Sequence, residues 1–197
     1  MSDIQRSKLP SVTKLDAARR QLEFAIEAHF EGRDPFAIHS VVAAAFGILR
    51  GLANRAGTVR AHEALKDHIR PGMEREYWAY MNRASNFLKH ADRDPDESLE
   101  GINEEINDPS IFMAALYYTD LKGSATGAIS VYTWWYAALH PSVLTDEFRA
   151  EIERRVAPGA EIQQLRRLPR DLHLKAGLEL LKLARRGGIP WATSHGS

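Results

Sequence analysis

Residues 34–54 read DPFAIHSVVAAAFGILRGLAN. Asp34 stands where a helix N-cap accepts backbone N–H groups, and Pro35, which has no N–H to satisfy, suits the first turn. From there apolar residues run nearly all round the helix (Val41, Val42, Ala43, Ala44, Ala45, Phe46, Ile48, Leu49), without strand-like alternation. A helix with so little polar surface is expected at the centre of a bundle. Upstream, Leu15, Ala18, Leu22, Ile26 and Phe30 recur at helical spacing over 13–31, and Gly32 ends that run. Downstream, Thr58 is placed to cap a helix that Pro71-Gly72 closes, and a further helix spans about 73–91. Residues 92–108 form an acidic connection with room for a short turn of helix. Asp108-Pro109 repeats the cap-and-proline opening for a helix over 110–121. An aromatic helix over 125–139 (Tyr132, Trp134, Trp135, Tyr136) stops before Pro141; two or three more fill 143–186, and the last dozen residues are expected to fray. The expectation is one all-α domain over 1–197, with a bundle of four to six core helices over about 13–140 and a C-terminal helical extension over about 143–187.

The composition is that of an ordinary globular protein, with 44% hydrophobic and 26% charged residues. The chain has no cysteine, which removes thiol nucleophiles, cysteine zinc sites and disulfides together. Its 26 basic and 26 acidic residues cancel, so no global field draws it to nucleic acid or an anionic membrane. The charge is nevertheless uneven: residues 92–120 carry a net −8 and residues 149–197 a net +5. Solvated surface is the ordinary meaning of such blocks. The alternative is a basic C-terminal face for an anionic partner or for the acidic segment of a second subunit. Residues 1–10 hold no apolar core of a targeting signal, and the uncharged stretch 35–49 is short of the roughly 20 residues that span a bilayer. The longer stretch 123–139 is interrupted by Ser, Thr, Gly and Tyr. A cytoplasmic protein with no membrane partner is expected.

The helix over 73–91 carries the residues with the most chemistry. On a helical wheel Trp78, Met81, Ser85 and Leu88 fall in an apolar half, while Arg83, Asn86 and His90 share a polar face at i, i+3 and i+7, with Asn82 and Lys89 nearby. A plain solvated face accounts for this pattern. So does phosphodiester cleavage without metal: His90 would exchange a proton with a ribose 2′-hydroxyl or the leaving oxygen, and Arg83 would neutralise charge on the phosphorus oxygens. Asn86 would orient the substrate or His90.

An all-helical chain with Arg, six residues and then His on a late helix resembles the HEPN superfamily of nucleotide-binding domains. The resemblance implies a homodimer that brings two such motifs together, with RNA or a nucleotide as partner and no cofactor. It carries the catalytic roles onto Arg83 and His90, with Asn86 beside them; Ala84 follows Arg83, where that family usually has a polar residue. Residues 34–45 and 86–96 also resemble uncharacterised bacterial helical proteins over about 13–140. That likeness draws attention to His39, Lys89 and Asp92 as binding residues beside Asn86 and His90.

Other motifs fall short. His62-Glu63 opens a zincin pattern, but Lys66 stands where the second His belongs, and there is no Glu-x-x-His. No metal site is expected, although His39, His90 and His140 lie on separate helices and could in principle converge. Asp92, Asp94 and Asp96 imitate a calcium loop, but Glu97 takes the glycine position and Asn103 the place of the bidentate Glu. His39 reads either as a core residue bonded to a backbone carbonyl or, where its helix meets the one over 73–91, as a partner of Asn86 or His90. Two further readings stand beside the nucleotide-binding one. One is a non-catalytic interaction module. The other is a small-molecule cavity lined by His39, Trp134 and Trp135.

Overall fold

A computed structural model describes residues 11–57, 74–89, 95–100, 102–125, 127–141 and 159–188, together with 150 and 154. The helix expected over 58–71 lies outside them. The protein is an all-α bundle, with no strand among the described residues. Its helices are α1 (Lys14–Phe30), α2 (Pro35–Ala56), α3 (Glu74–Phe87), α4 (Asn107–Lys122), α5 (Gly127–Leu139), α6 (Gly159–Arg166) and α7 (Arg170–Arg185).

Local chemistry sets the ends of the first two. Thr13 Oγ1 accepts the Asp16 N–H at 3.1 Å, and Asp34 Oδ1 accepts the Ala37 N–H at 2.8 Å, so each helix starts on a side-chain cap. Gly32 and Gly57 follow α1 and α2 with φ of +67° and +66°, the left-handed conformation that glycine adopts without steric cost.

The expectation for α4 needs correction. A 3-10 turn (Glu104–Ile106) leads directly into it, the helix begins at Asn107, and no side chain caps it. Asp108 sits in the first turn, buried, with its carboxylate committed to residues distant in sequence. An Asp-Pro pair looks alike in both settings, because the cap and the buried pair differ only in tertiary contacts.

The bundle core is formed by α1, α2, α4 and α5, with α7 laid against α1 and α5 and with α3 against α2. The centre is displaced from the expected place. The buried positions of α2 (Ile38, His39, Val42, Ala45, Leu49, Ala53) form one stripe, whereas α4 and α5 are buried nearly all round. The other faces of α2 combine small residues (Ala37, Ala43, Ala44, Gly47, Gly51) with half-buried Val41, Phe46 and Ile48, so the helix is more apolar than its buried stripe alone. This helix is also longer than its uncharged stretch, and by length and composition alone it could cross a membrane. Its buried stripe against α1 and α4 is what a core helix shows.

Tyr132, Trp135 and Tyr136 of α5 are core, and Trp134 is partly buried against it. Trp135 and Tyr132 are fully buried, and the Phe30 ring packs on them with centroids 5.1 and 5.5 Å away. Gly177 on α7 faces that ring: a Cβ there would run into it, so glycine is what lets α7 close on the bundle.

Candidate functional site

A cleft of about 220 Å3 opens between α2 and α3, with α4 beneath it. The α2 wall carries His39, Val42, Ala43, Phe46, Gly47 and Arg50, which is one helical stripe. Asn82, Ser85, Asn86 and Lys89 form the α3 wall at i, i+3, i+4 and i+7, and Ser110 and Met113 come from α4. The mouth is polar: Arg50, Asn82, Asn86 and Lys89 are exposed. Lys89 follows the C-terminal end of α3, where the helix dipole favours a cation. The Arg50 guanidinium lies 5.8 Å from the Phe46 ring centroid, a cation–π distance. No carboxylate lines this cleft among the described residues.

A hydrogen-bonded chain forms the inner end. His39, only 2% exposed, places Nδ1 3.2 Å from Asn107 Oδ1 and Nε2 3.0 Å from Ser85 Oγ. Asn107 Nδ2 donates to the Pro35 carbonyl at 2.9 Å, which turns its oxygen toward the imidazole. An amide oxygen only accepts, so His39 Nδ1 carries the proton. In the neutral ring Nε2 is then the acceptor for the Ser85 hydroxyl. His39 is therefore a satisfied buried histidine, as one reading had it, and among the described residues its ring nitrogens meet the side chains of Asn107 and Ser85. It does meet α3, at Ser85.

The expected site is divided by the structure. His39, Asn86 and Lys89 come together in the cleft. Arg83 is exposed on α3 and is not among the lining residues. His90 and Asp92 lie outside the described residues. Arg50, Ser85 and Asn107 were not anticipated, and Asn82 was read only as a neighbour of the polar face. Ser85 belongs to the seam between the two halves of the wheel, where residue type alone does not say which side it serves. Asn107 joins His39 across 68 residues of chain, a contact with no local signature.

The aromatic helix gives Trp135, Leu139 and His140 to a different cavity, of about 350 Å3, and neither Trp134 nor Trp135 is among the residues that line the cleft with His39. That second cavity adjoins a buried ionic cluster. Asp108 is gripped by Arg170 through two bonds of 2.8 and 2.9 Å, and His29 Nε2 stands 3.2 Å from Asp108 Oδ1, at ion-pair distance without hydrogen-bond alignment. Arg170 Nε also meets Glu104 at 3.3 Å, and Tyr132 Oη donates to the Asp108 carbonyl at 3.1 Å. Burial pushes the Asp108 carboxyl up, but the Arg170 fork and His29 outweigh it and hold the carboxyl below its ordinary value. His140 lines this cavity and not the cleft, against the Tyr136 ring at 4.4 Å, and burial lowers its pKa. His39 and His140 therefore do not converge, and among the described residues no group of three or more His, Asp or Glu could hold a metal ion. Comparison with known family models, with curated proteins and with solved structures finds no match for this chain.

Proposed function

We propose that this protein binds a phosphate group of a nucleotide or single-stranded RNA in the cleft between α2 and α3. The observation that carries the reading is the make-up of the walls: two cations, Arg50 and Lys89, stand among neutral amide donors (Asn82, Asn86) with no carboxylate among the lining residues. Guanidinium and ammonium groups with amide N–H donors are the chemistry that takes phosphate oxygens. The size limits what enters. At about 220 Å3 the cleft is smaller than the ~300–1,000 Å3 typical of whole drug-sized ligands, so it holds a phosphate with its sugar, or one base, while the rest of the ligand stays outside. Val42, Phe46 and Met113 supply an apolar surface for the sugar or base edge. The resemblance of residues 83–90 to nucleotide-binding helical domains supports the same partner.

The reading stops at binding. Cleavage needs Arg83 and His90 at the phosphate, and Arg83 stands outside the lining of the cleft. Ribonuclease activity that survives EDTA and disappears in Arg83→Ala and His90→Ala would extend the reading to cleavage. Titration with uridine 5′-monophosphate, followed by calorimetry, tests the binding. Saturable binding is expected, weakened roughly tenfold or more by Lys89→Ala or Arg50→Ala, since a hydrogen bond to a charged group is worth about 1.5–3 kcal/mol. Unchanged affinity in both variants would contradict it.

A further inference from the structure

We propose that Ser85 is a nucleophile, activated by His39 and oriented through Asn107, that opens small carboxylic esters entering the same cleft. The geometry points to this because three side chains from three helices form one directed relay. Asn107 Oδ1 lies 3.2 Å from His39 Nδ1, and His39 Nε2 lies 3.0 Å from Ser85 Oγ. This is the arrangement by which a buried amide holds an imidazole in the tautomer able to take a hydroxyl proton. The Pro35 carbonyl fixes the amide in turn, at 2.9 Å from Asn107 Nδ2. Asn107 is buried away from the cleft and His39 is 2% exposed at its inner end, whereas Ser85 is half-buried on the wall, so the relay ends on the member most open to a ligand.

In the reaction the Ser85 Oγ–C bond forms at the ester carbonyl as the hydroxyl proton passes to His39 Nε2. The carbonyl electron pair moves onto oxygen, then returns as the bond to the alcohol oxygen breaks, and that oxygen takes the proton from Nε2. Water next attacks the seryl ester with His39 again receiving the proton. The carboxylic acid leaves and the Ser85 hydroxyl is restored, with one water consumed. Backbone N–H groups along α3 are engaged within the helix, so the oxyanion falls to the side-chain amides of Asn82 and Asn86, both on the same wall.

One imidazole beside the nucleophile can serve both proton transfers at a carbonyl carbon. It cannot do so at phosphorus, where attacking and leaving oxygens lie in line and the departing group is on the far side. This selects an acyl ester over a phosphate ester as the bond that breaks. A preference for esters with an anionic group rests on the phosphate-binding reading above: Arg50 lies eleven residues from His39, about 16 Å along the helix axis, so it would hold a remote anion and not the reacting oxygen.

The test uses reagents that need neither cation. Full-length protein is treated with a fluorophosphonate, whose fluoride leaves without a proton, and the adduct is read by intact-mass spectrometry and mapped by peptide. A single adduct on Ser85 is expected, with none in Ser85→Ala. Labelling, and turnover of p-nitrophenyl acetate, should fall at least about 100-fold in His39→Gln. Asn107→Asp, which keeps the acceptor, should retain labelling better than Asn107→Ala at equal melting temperature, a difference that a purely structural relay would not produce. Wild-type protein that stays unlabelled, or labelling at an equal rate in Ser85→Ala, overturns the proposal. Because these readouts are independent of uridine 5′-monophosphate binding, either reading can fail alone.

Discussion

The two polar sites of this bundle handle charge in opposite ways. At the second cavity the Asp108 and Glu104 carboxylates meet Arg170 within the chain, with the His29 ring beside Asp108. In the cleft the inner end is built of His39 and uncharged Ser and Asn side chains, the cations stand at the mouth, and no acid lines the wall among the described residues. The first arrangement also locates one contact between the two charge blocks of the sequence. Arg170 of the basic C-terminal block meets Glu104 and Asp108 of the acidic block, so at this contact the blocks answer each other inside one chain. Charge closed on itself in a buried seam holds helices together, whereas charge left at an opening among neutral donors is available to a ligand.

The largest effect should come from breaking the seam. Arg170→Ala leaves Asp108 buried without its fork and should cost about 3–5 kcal/mol in urea unfolding, while uridine 5′-monophosphate binding by the folded fraction stays unchanged. The same carboxylate shapes the acid response. Its pKa is lowered in the folded protein, so its contribution is fully present above the unfolded value near 3.8 and is lost as pH falls through the lower folded value. In Arg170→Ala that margin should shrink, and acid unfolding should begin at a higher pH. Next comes packing: Gly177→Ala drives a methyl into the buried Phe30 ring and should cost about 1–3 kcal/mol, measured by thermal melting. The smallest effect belongs to Glu27→Gln. Glu27 and Arg185 form an exposed fork at 2.7 and 2.8 Å, and loss of such a surface pair should change stability by under about 1 kcal/mol. A loss comparable to that of Arg170→Ala would erase the distinction between buried and open charge.

How far the sequence could be read follows the same division. The starts of α1 and α2 were legible because Thr13 and Asp34 act on backbone groups three residues away. The all-α class was legible from helical spacing sustained over most of the chain. Asp108 was read as a cap because Asp-Pro is a local signal, whereas its real partner lies 62 residues on. Asn86 and Lys89 were marked as candidates by the polar face of α3 and His39 by a resemblance over residues 34–45, and the structure brings the three to one cleft. Ser85 and Asn107 were not, because their importance arises only when α2, α3 and α4 meet.

The most direct test of the central claim is fluorescence anisotropy of a labelled oligouridylate on wild-type protein and on the double variant Arg50→Glu/Lys89→Glu. The account predicts saturable binding by the wild type. Neutralisation of about two phosphates should give a slope of log K against log salt near −1.4. The double variant should lose binding while its melting temperature is unchanged. Absence of binding at low salt, or equal binding by the double variant, would contradict it.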